Sequence, residues 1–274
     1  MTRAALTVMH ELACRAAELI RAVYQTDFQV DYKAPTDPVT QADRQANELI
    51  VKGLRAAFPD AAIVAEESDA ASYADFRAAE RVFFVDPLDG TREFVDKNGE
   101  FVVMLGLIEG ARAVAGVIHA PVLDVAWLGL VGEGAWEVDA QGARRELTTS
   151  RGVPLREARV VASRTHRTED TQRALDILGV GSVSALGSAG LKGAEVARGL
   201  AEAYASPGTA GKRWDACAVD ALVTAAGGQV SDAFGDPIDY RGASLTNSRG
   251  LVATNGELHR ALLERLEVAR VAFG

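Results

Sequence analysis

A short turn in the sequence carries residues that suit metal and phosphate chemistry. Residues 86 to 91 read Asp-Pro-Leu-Asp-Gly-Thr and directly follow a hydrophobic run. Pro87 holds Asp86 extended and donates no N–H, so the turn can present two carboxylates with the Leu88 carbonyl between them. These oxygens are hard ligands of the kind that Mg²⁺ prefers. The turn therefore predicts a cation site that includes Asp86, Leu88 and Asp89.

The last two residues of the same turn suit phosphate chemistry. Gly90 has no side chain, so the backbone can approach a bound phosphate closely. Thr91 offers a hydroxyl that can orient a water molecule. The turn thus combines metal ligands with a backbone that can approach a phosphate and a hydroxyl that can orient a water molecule.

Further acidic residues lie far from this turn along the chain. Glu66 and Glu67 follow a β-rich run, and Asp215 begins an alanine-rich segment. At a helix N-terminus the dipole favours a carboxylate such as Asp215, and also a neighbouring phosphate. If Glu66 and Asp215 converge on the turn, their mutual repulsion requires divalent cations. No His or Cys stands nearby, which favours magnesium, with manganese as a substitute.

Each of these features also has an ordinary structural interpretation. A DPxDG segment is a common turn, Glu66 and Glu67 can form a solvated loop, and Asp215 can cap a helix. Similarly, Thr40-Gln41-Ala42-Asp43 is a capping box at the start of a predicted helix. The combination favours the metal site over these separate interpretations.

The first half of the chain predicts helices followed by an antiparallel sheet. Apolar residues at spacings of three and four predict helices over about residues 4 to 24 and from Thr40 to Phe58, with a turn from Pro35 to Pro38 between them. Short β-rich runs separated by turn residues then predict antiparallel strands at residues 81–86, 101–108, 112–119 and 125–131.

After about Ala158 the pattern changes to alternating strands and helices, which is typical of an α/β arrangement. Strands are expected at 158–163, 202–206, 228–232 and 250–254, and helices near 169–178, 189–199, 215–226 and the end of the chain. No linker or internal repeat interrupts the sequence. We therefore expect one catalytic unit over residues 1–274 with two lobes: an α+β lobe over 1–150 with most metal ligands, and an α/β lobe over 151–274 with Asp215 and the substrate residues.

Composition narrows the class of partner and the compartment. The 274 residues are 48% apolar and 24% charged, with a formal charge of -9, which disfavours binding to nucleic acid. Small phosphorylated ligands stay possible. No apolar run is long enough for a membrane span, and no signal peptide is evident. Cys14 and Cys217 are too few for a disulfide framework or a cysteine zinc site, so we expect a reducing, cytoplasmic compartment.

The motifs together resemble a known family. Asp43, the Glu66-Glu67 pair, the DPLDGT turn and Trp214-Asp215-Ala216-Cys217-Ala218 are similar to the signature of the inositol monophosphatase superfamily of lithium-sensitive, magnesium-dependent phosphatases. The resemblance implies a layered αβαβα sandwich of the inositol monophosphatase and fructose-1,6-bisphosphatase type, with two or three Mg²⁺ ions. It implies one metal site at Glu66, Asp86 and the Leu88 carbonyl, and a second at Asp86, Asp89 and Asp215. Asp43 and Thr91 would steer the nucleophilic water, and Glu67 would support them.

Within that superfamily, residues 86–101, 187–192 and 204–217 resemble the 3'(2'),5'-bisphosphate nucleotidases most. This likeness implies hydrolysis of 3'-phosphoadenosine 5'-phosphate to AMP and phosphate. The residues it implies for substrate binding are Gly90, Thr91, His166, Ser188, Lys192 and Asp215. Lys192 would meet the second phosphate.

Three alternatives to the nucleotidase stay open. The substrate can instead be an inositol phosphate or a sugar bisphosphate such as fructose 1,6-bisphosphate. An alternative of another class is a metal-binding interaction protein that has lost catalysis.

Relatives are often dimers, so a homodimer is also possible.

Overall fold

A computed structural model describes residues 2–35, 37–165 and 169–273 of the chain, which form five layers. The helices are α1 (Thr2–Tyr24), α2 (Gln41–Ala57), α3 (Thr91–Val95), α4 (Glu169–Ile177), α5 (Ala189–Ala197), α6 (Arg213–Ala225) and α7 (His259–Phe273). The strands are β1 (Val30–Ala34), β2 (Asp37–Thr40), β3 (Ala62–Ala65), β4 (Arg81–Asp89), β5 (Val102–Glu109), β6 (Arg112–Ala120), β7 (Val125–Leu130), β8 (Gly134–Val138), β9 (Arg144–Leu147), β10 (Arg159–Ser163), β11 (Ser182–Leu186), β12 (Ala203–Ser206), β13 (Gln229–Ser231) and β14 (Leu251–Thr254).

Two sheets alternate with three helix pairs. The large sheet has the order β3-β4-β5-β6-β7-β8-β9, in which only the β3–β4 pairing is parallel. The small sheet has the order β11-β10-β12-β14-β13, with β10 parallel to β11 and β12. Helices α1 and α2 cover one face of the large sheet, α5 and α6 lie between the sheets, and α4 and α7 cover the small sheet. This arrangement confirms the αβαβα sandwich.

The outer helices form where the sequence predicts them. Apolar residues of α1 such as Leu6, Met9 and Ile20 face the large sheet and are buried, as the helical spacing requires. Helix α2 begins at the predicted capping box, and Pro59 follows its end. No helix in the described residues is both long and apolar enough to cross a membrane.

Some local predictions differ from the structure. The predicted turn from Pro35 to Pro38 is partly wrong, because β2 begins at Asp37 and pairs antiparallel with β1. Pro38 is tolerated there because this two-stranded hairpin needs no further hydrogen bond from it. The predicted helix at 215–226 begins two residues earlier, at Arg213. Strands β8, β9 and β11 are not predicted, since they are short and half-exposed and lack a clear apolar alternation.

Three glycines let α6 lie unusually close to the large sheet. Gly106, Gly116 and Gly129 face one another across β5, β6 and β7. A Cβ atom added to each would lie 2.5 Å from an α6 atom, namely Cys217 Sγ, the Ala218 carbonyl oxygen and Leu222 Cα respectively. These contacts fix the height of α6 above the sheet and therefore the position of Asp215 at its N-terminal end.

Enlarging the central glycine should disturb this contact. We expect Gly116→Ala to lower the free energy of unfolding by roughly 1–3 kcal/mol, because the backbone of α6 must move to admit the methyl group. Urea denaturation measures the effect. Ala111→Ser, on an exposed turn, serves as the control and should change stability by less than about 0.5 kcal/mol. A Gly116→Ala protein as stable as the wild type would contradict the packing argument.

Candidate functional site

Asp215, from a distant part of the sequence, meets Asp86 and Asp89 at the end of β4. One carboxylate oxygen each from Asp86, Asp89 and Asp215 lies within 4.8 Å of the others, and we refer to these residues as the aspartate cluster. In a regular strand, residues three apart point to opposite faces. Here a bulge places an extra residue between Asp86, which pairs with Met104, and Asp89, which pairs with Val102. The bulge thus lets both carboxylates reach the same site.

The Asp86 side chain is fixed by the turn that follows it. The Leu88 amide donates to Asp86 Oδ1 over 3.0 Å. The bond closes a tight turn of the kind that aspartate commonly forms with the amide two residues on. Asp86 is 2% exposed, and Leu88 is also buried. The predicted Asp-Pro-Leu-Asp turn is therefore a rigid, buried feature.

Helix termini hold the other two carboxylates. Ser188 Oγ and the Gly190 amide donate to Asp89 Oδ2 over 2.5 and 2.8 Å, at the start of α5. At the start of α6, the Lys212 amide donates to Asp215 Oδ2 over 2.5 Å. Both carboxylates thus accept bonds from backbone amides that a helix leaves without intrahelical partners.

Ser188 serves α5 as well as Asp89. Its Oγ caps the helix by accepting from the Leu191 amide over 3.1 Å. Its backbone has a φ of 47°, which is uncommon for a residue other than glycine. The structure thus makes Ser188, predicted as a substrate residue, a neighbour of Asp89 on the cavity wall.

The electrostatic environment of the aspartate cluster disfavours negative charge. Burial, together with repulsion from Glu66, Asp89 and Asp215, raises the pKa of Asp86 well above its usual range. Burial and the charge of Asp89 raise the pKa of Asp215 to about 8. Asp215 therefore holds a proton at neutral pH unless a cation replaces it.

Glu66 and Glu67 lie beside the aspartate cluster and share a lysine. Lys33, from β1, donates to Glu66 Oε1 over 2.9 Å and to Glu67 Oε1 over 2.6 Å. Glu66 also contacts Asp86 by a side-chain hydrogen bond. Burial raises the pKa of Glu66 to about 7. The structure thus brings both predicted residues to the site, with an ion pair to a lysine that was not singled out from the sequence.

Asp43 has both of the arrangements that the sequence allows. Its Oδ2 accepts from the Thr40 amide over 2.7 Å, as a capping box requires, and also from the Thr40 hydroxyl over 2.7 Å. Its Oδ1 lies 3.0 Å from Thr91 Oγ1, which lies 3.1 Å from the Leu88 carbonyl oxygen as well. Burial raises the pKa of Asp43. The cap therefore orients Asp43 toward Thr91.

A cavity of about 730 Å³ opens over the aspartate cluster, Glu66 and Thr91, whereas Asp43 and Glu67 are not among the residues that line it. Gly90 lines it with a φ of 98°, and a Cβ there would lie 2.8 Å from the Glu100 carbonyl oxygen, so glycine is required for two reasons. The other predicted residues that line it are Glu66, Asp86, Leu88, Asp89, Thr91, Ser188, Lys192 and Asp215. His166 falls outside the described residues.

Lys192 lines the cavity but is not a solvated lysine. It is 3% exposed, and its ammonium donates to the carbonyls of Leu186, Gly187 and Ser188 over 3.3, 3.1 and 2.6 Å. Burial lowers its pKa to about 8. The positive charge of its ammonium group therefore acts on the cavity, while its N–H groups are bonded to the backbone that precedes α5.

The ligand atoms that the aspartate cluster offers suit a metal ion. They are carboxylate oxygens, which hard divalent cations prefer. The raised pKa values of Asp86 and Asp215 show the repulsion that a bound cation would relieve. The residues present therefore fit a metal cofactor.

The chain belongs to the inositol monophosphatase family, whose model matches residues 2–270. It is 37% identical to the 3'(2'),5'-bisphosphate nucleotidase CysQ of Escherichia coli K12 over 235 residues, which is 84% of this chain and 91% of that protein. It is 34% identical to the enzyme of the same name from Buchnera aphidicola, over 84% of this chain and 85% of that one.

Solved structures show the same fold. The suhB protein of Bartonella henselae superposes with a TM-score of 0.83 and 28% identity over 96% of this chain and 98% of its own. An IMPase of Thermotoga maritima gives a TM-score of 0.82 and 25% identity over all of both chains. CysQ of Bacteroides thetaiotaomicron gives 0.78 and 29% identity over 92% and 97%.

The raised pKa values predict that metal affinity depends on pH. Glu66 and Asp215, with pKa values of about 7 and 8, hold protons that a cation must displace. We expect the affinity for Mg²⁺ to increase from pH 6 to pH 8, by up to about tenfold per pH unit for each proton released. Titration calorimetry in two buffers of different ionisation enthalpy measures the dissociation constant for Mg²⁺ and the number of protons released on binding. A dissociation constant independent of pH, with no proton release, would argue against this site.

Proposed function

We propose that the protein is a magnesium-dependent phosphate monoester hydrolase, most specifically a 3'(2'),5'-bisphosphate nucleotidase. Its substrate would be 3'-phosphoadenosine 5'-phosphate, and its products AMP and phosphate. The observation that carries the proposal is the aspartate cluster, which lines the cavity together with Thr91. Thr91 in turn contacts Asp43. The identity to CysQ proteins supports the choice of substrate.

Asp86, Asp89 and Asp215, with Glu66 and the Leu88 carbonyl, would hold two or three Mg²⁺ ions, and Mn²⁺ can substitute. Bound there, the cations would lower the pKa of a water molecule and stabilise charge on the leaving oxygen. Asp89 and Asp215 are oriented for this role by the amides of Gly190 and Lys212. Their second oxygens therefore stay available for ligation.

Asp43 and Thr91 would orient the attacking water. When the Thr91 hydroxyl donates to Asp43, its lone pairs can accept a hydrogen bond from that water. Burial raises the pKa of Asp43, which makes it a stronger base than an ordinary aspartate. The water oxygen would form the new bond to phosphorus and give one of its two protons to Thr91, whose own hydroxyl proton would pass to Asp43 and later return to solvent. The bond to the ester oxygen breaks, and the departing alcohol takes a proton from solvent.

The remaining cavity residues would bind the substrate. Backbone amides at Gly90 and Thr91 would hold the reacting phosphate. Lys192 would attract the second phosphate by its charge, and Ser188 would contact the substrate from its place beside Asp89. His166 stays a proposed substrate contact from the resemblance alone.

Inositol phosphate is the second candidate substrate, since the IMPase of Thermotoga maritima superposes over the whole chain. One assay separates the two. Phosphate release is measured from 3'-phosphoadenosine 5'-phosphate, inositol 1-phosphate and fructose 1,6-bisphosphate, with and without Mg²⁺. The nucleotide should be cleaved fastest, and only with the metal. Faster release from inositol 1-phosphate would reject the nucleotidase proposal.

We also propose that the protein works in the cytoplasm as a homodimer. Both cysteines are free thiols, Cys217 buried and Cys14 partly so, which suits a reducing compartment. Light scattering of the purified protein tests the dimer.

Asp89 offers a direct test of the metal ligands. Asp89→Asn keeps the size of the side chain but removes its charge, so we expect turnover to fall by at least about 100-fold. The fold should persist, as circular dichroism can verify. Asp60→Asn, an exposed aspartate, is the matched control and should retain full activity. Near-normal turnover by Asp89→Asn would refute the role of this residue.

Lithium offers a second test. From the family resemblance, Li⁺ should compete for the site formed by Asp86, Asp89 and Asp215 and inhibit hydrolysis. Raising the Mg²⁺ concentration should weaken the inhibition if the two ions share that site. Assays at several concentrations of both ions measure this competition, and full activity at high lithium would contradict it.

A further inference from the structure

Glu93 is a buried acid that the mechanism above does not use. It lies in α3, four residues after Asp89, and is 4% exposed. Its Oε1 has no hydrogen-bond partner among the described residues. By contrast, both oxygens of the nearby Glu100 are bonded, to Arg164 over 2.7 Å and to the Gly187 amide over 2.6 Å. A buried acceptor without a donor is unfavourable, so a donor is expected from elsewhere.

The position of Glu93 points to the cavity as the source of that donor. Glu93 lines the same cavity as the aspartate cluster. Gly187 packs against it, since an added Cβ there would lie 2.5 Å from Glu93 Cγ and 2.9 Å from Oε1. Only a residue without a side chain therefore fits beside the carboxyl group. Asp89 and Lys192 are close enough to interact with it electrostatically.

The chemistry of a carboxylate limits what it can meet there. An ionised carboxylate only accepts hydrogen bonds, and it repels a phosphate. The reacting phosphate would lie at the aspartate cluster, next to Glu93. The part of the substrate that then comes nearest to Glu93 is the sugar that carries the ester, whose hydroxyl groups are donors.

We propose that Glu93 is a specificity-determining residue whose carboxyl group accepts a hydrogen bond from a sugar hydroxyl of the substrate, beside the ester that is cleaved. The inference rests on the proposed function. For 3'-phosphoadenosine 5'-phosphate, that hydroxyl is the ribose 2'-hydroxyl.

The test compares kcat/KM for 3'-phosphoadenosine 5'-phosphate and its 2'-deoxy analogue. The wild type should prefer the ribonucleotide by about tenfold or more, because a hydrogen bond to a charged group is lost with the hydroxyl. Glu93→Met should bring the two values to within about twofold, since no acceptor remains. Glu100→Gln is the matched control, and its preference should equal that of the wild type.

Several outcomes would overturn the inference. Equal kcat/KM values for the two nucleotides with the wild type would reject it while leaving the nucleotidase proposal intact. So would a preference that persists in Glu93→Met. If that variant does not fold by circular dichroism, Glu93→Gln replaces it, and an undiminished preference there counts equally against the hydroxyl contact. If the wild type cleaves neither nucleotide, the nucleotidase proposal fails and this inference falls with it.

Discussion

The structure depends on holding three carboxylates together against their mutual repulsion. Asp86, Asp89 and Asp215 place oxygens within 4.8 Å of one another in a partly or fully buried setting. Burial and repulsion raise the pKa of Asp86 and Asp215. Without a metal ion, the repulsion between the carboxylates decreases only when they take up protons. Packing elsewhere must therefore offset this unfavourable energy, and the close contact of α6 with three glycines of the large sheet is part of that packing.

Backbone amides set the direction of each carboxylate. The amides of Leu88, Gly190 and Lys212 donate to Asp86, Asp89 and Asp215 respectively. Two of these amides lie at the N-terminal ends of α5 and α6, where the helix dipole also favours negative charge. One oxygen of each aspartate is thereby fixed by a backbone amide, which limits the directions in which the other oxygen can point.

Much of the fold and most of the site could be predicted from the sequence. The helical spacing in α1 and α2 and the β-rich runs of the large sheet are strong local signals, because one face of each element is buried. The Asp-Pro-Leu-Asp-Gly-Thr turn and Asp215 were identified because their residue types suit metal chemistry. The family resemblance then supplied their relation in space, which spacing alone does not determine.

What could not be predicted depends on contacts between distant segments. Lys33 lies in a short, exposed strand, and only the folded chain brings it to Glu66 and Glu67. Lys192 was expected on a helix, but nothing in its neighbours indicates that its ammonium would hold three carbonyls of the preceding loop. Glu93 lies within residues 86–101, which resemble the nucleotidases. Only the folded structure shows that its Oε1 is buried without a hydrogen-bond partner among the described residues.

The placement of these lysines explains why the site needs cations from solution. In the described part of the chain, Lys33 donates to Glu66 and Glu67, and Lys192 donates to backbone carbonyls. None of these hydrogen bonds, which join described residues, goes to the aspartate cluster. A lysine placed among the three aspartates would neutralise them permanently and occupy the space that a phosphate and its metal ions require. Because both ammonium groups are bonded to other partners, the negative charge of the three aspartates is left for metal ions, which can also contact the substrate.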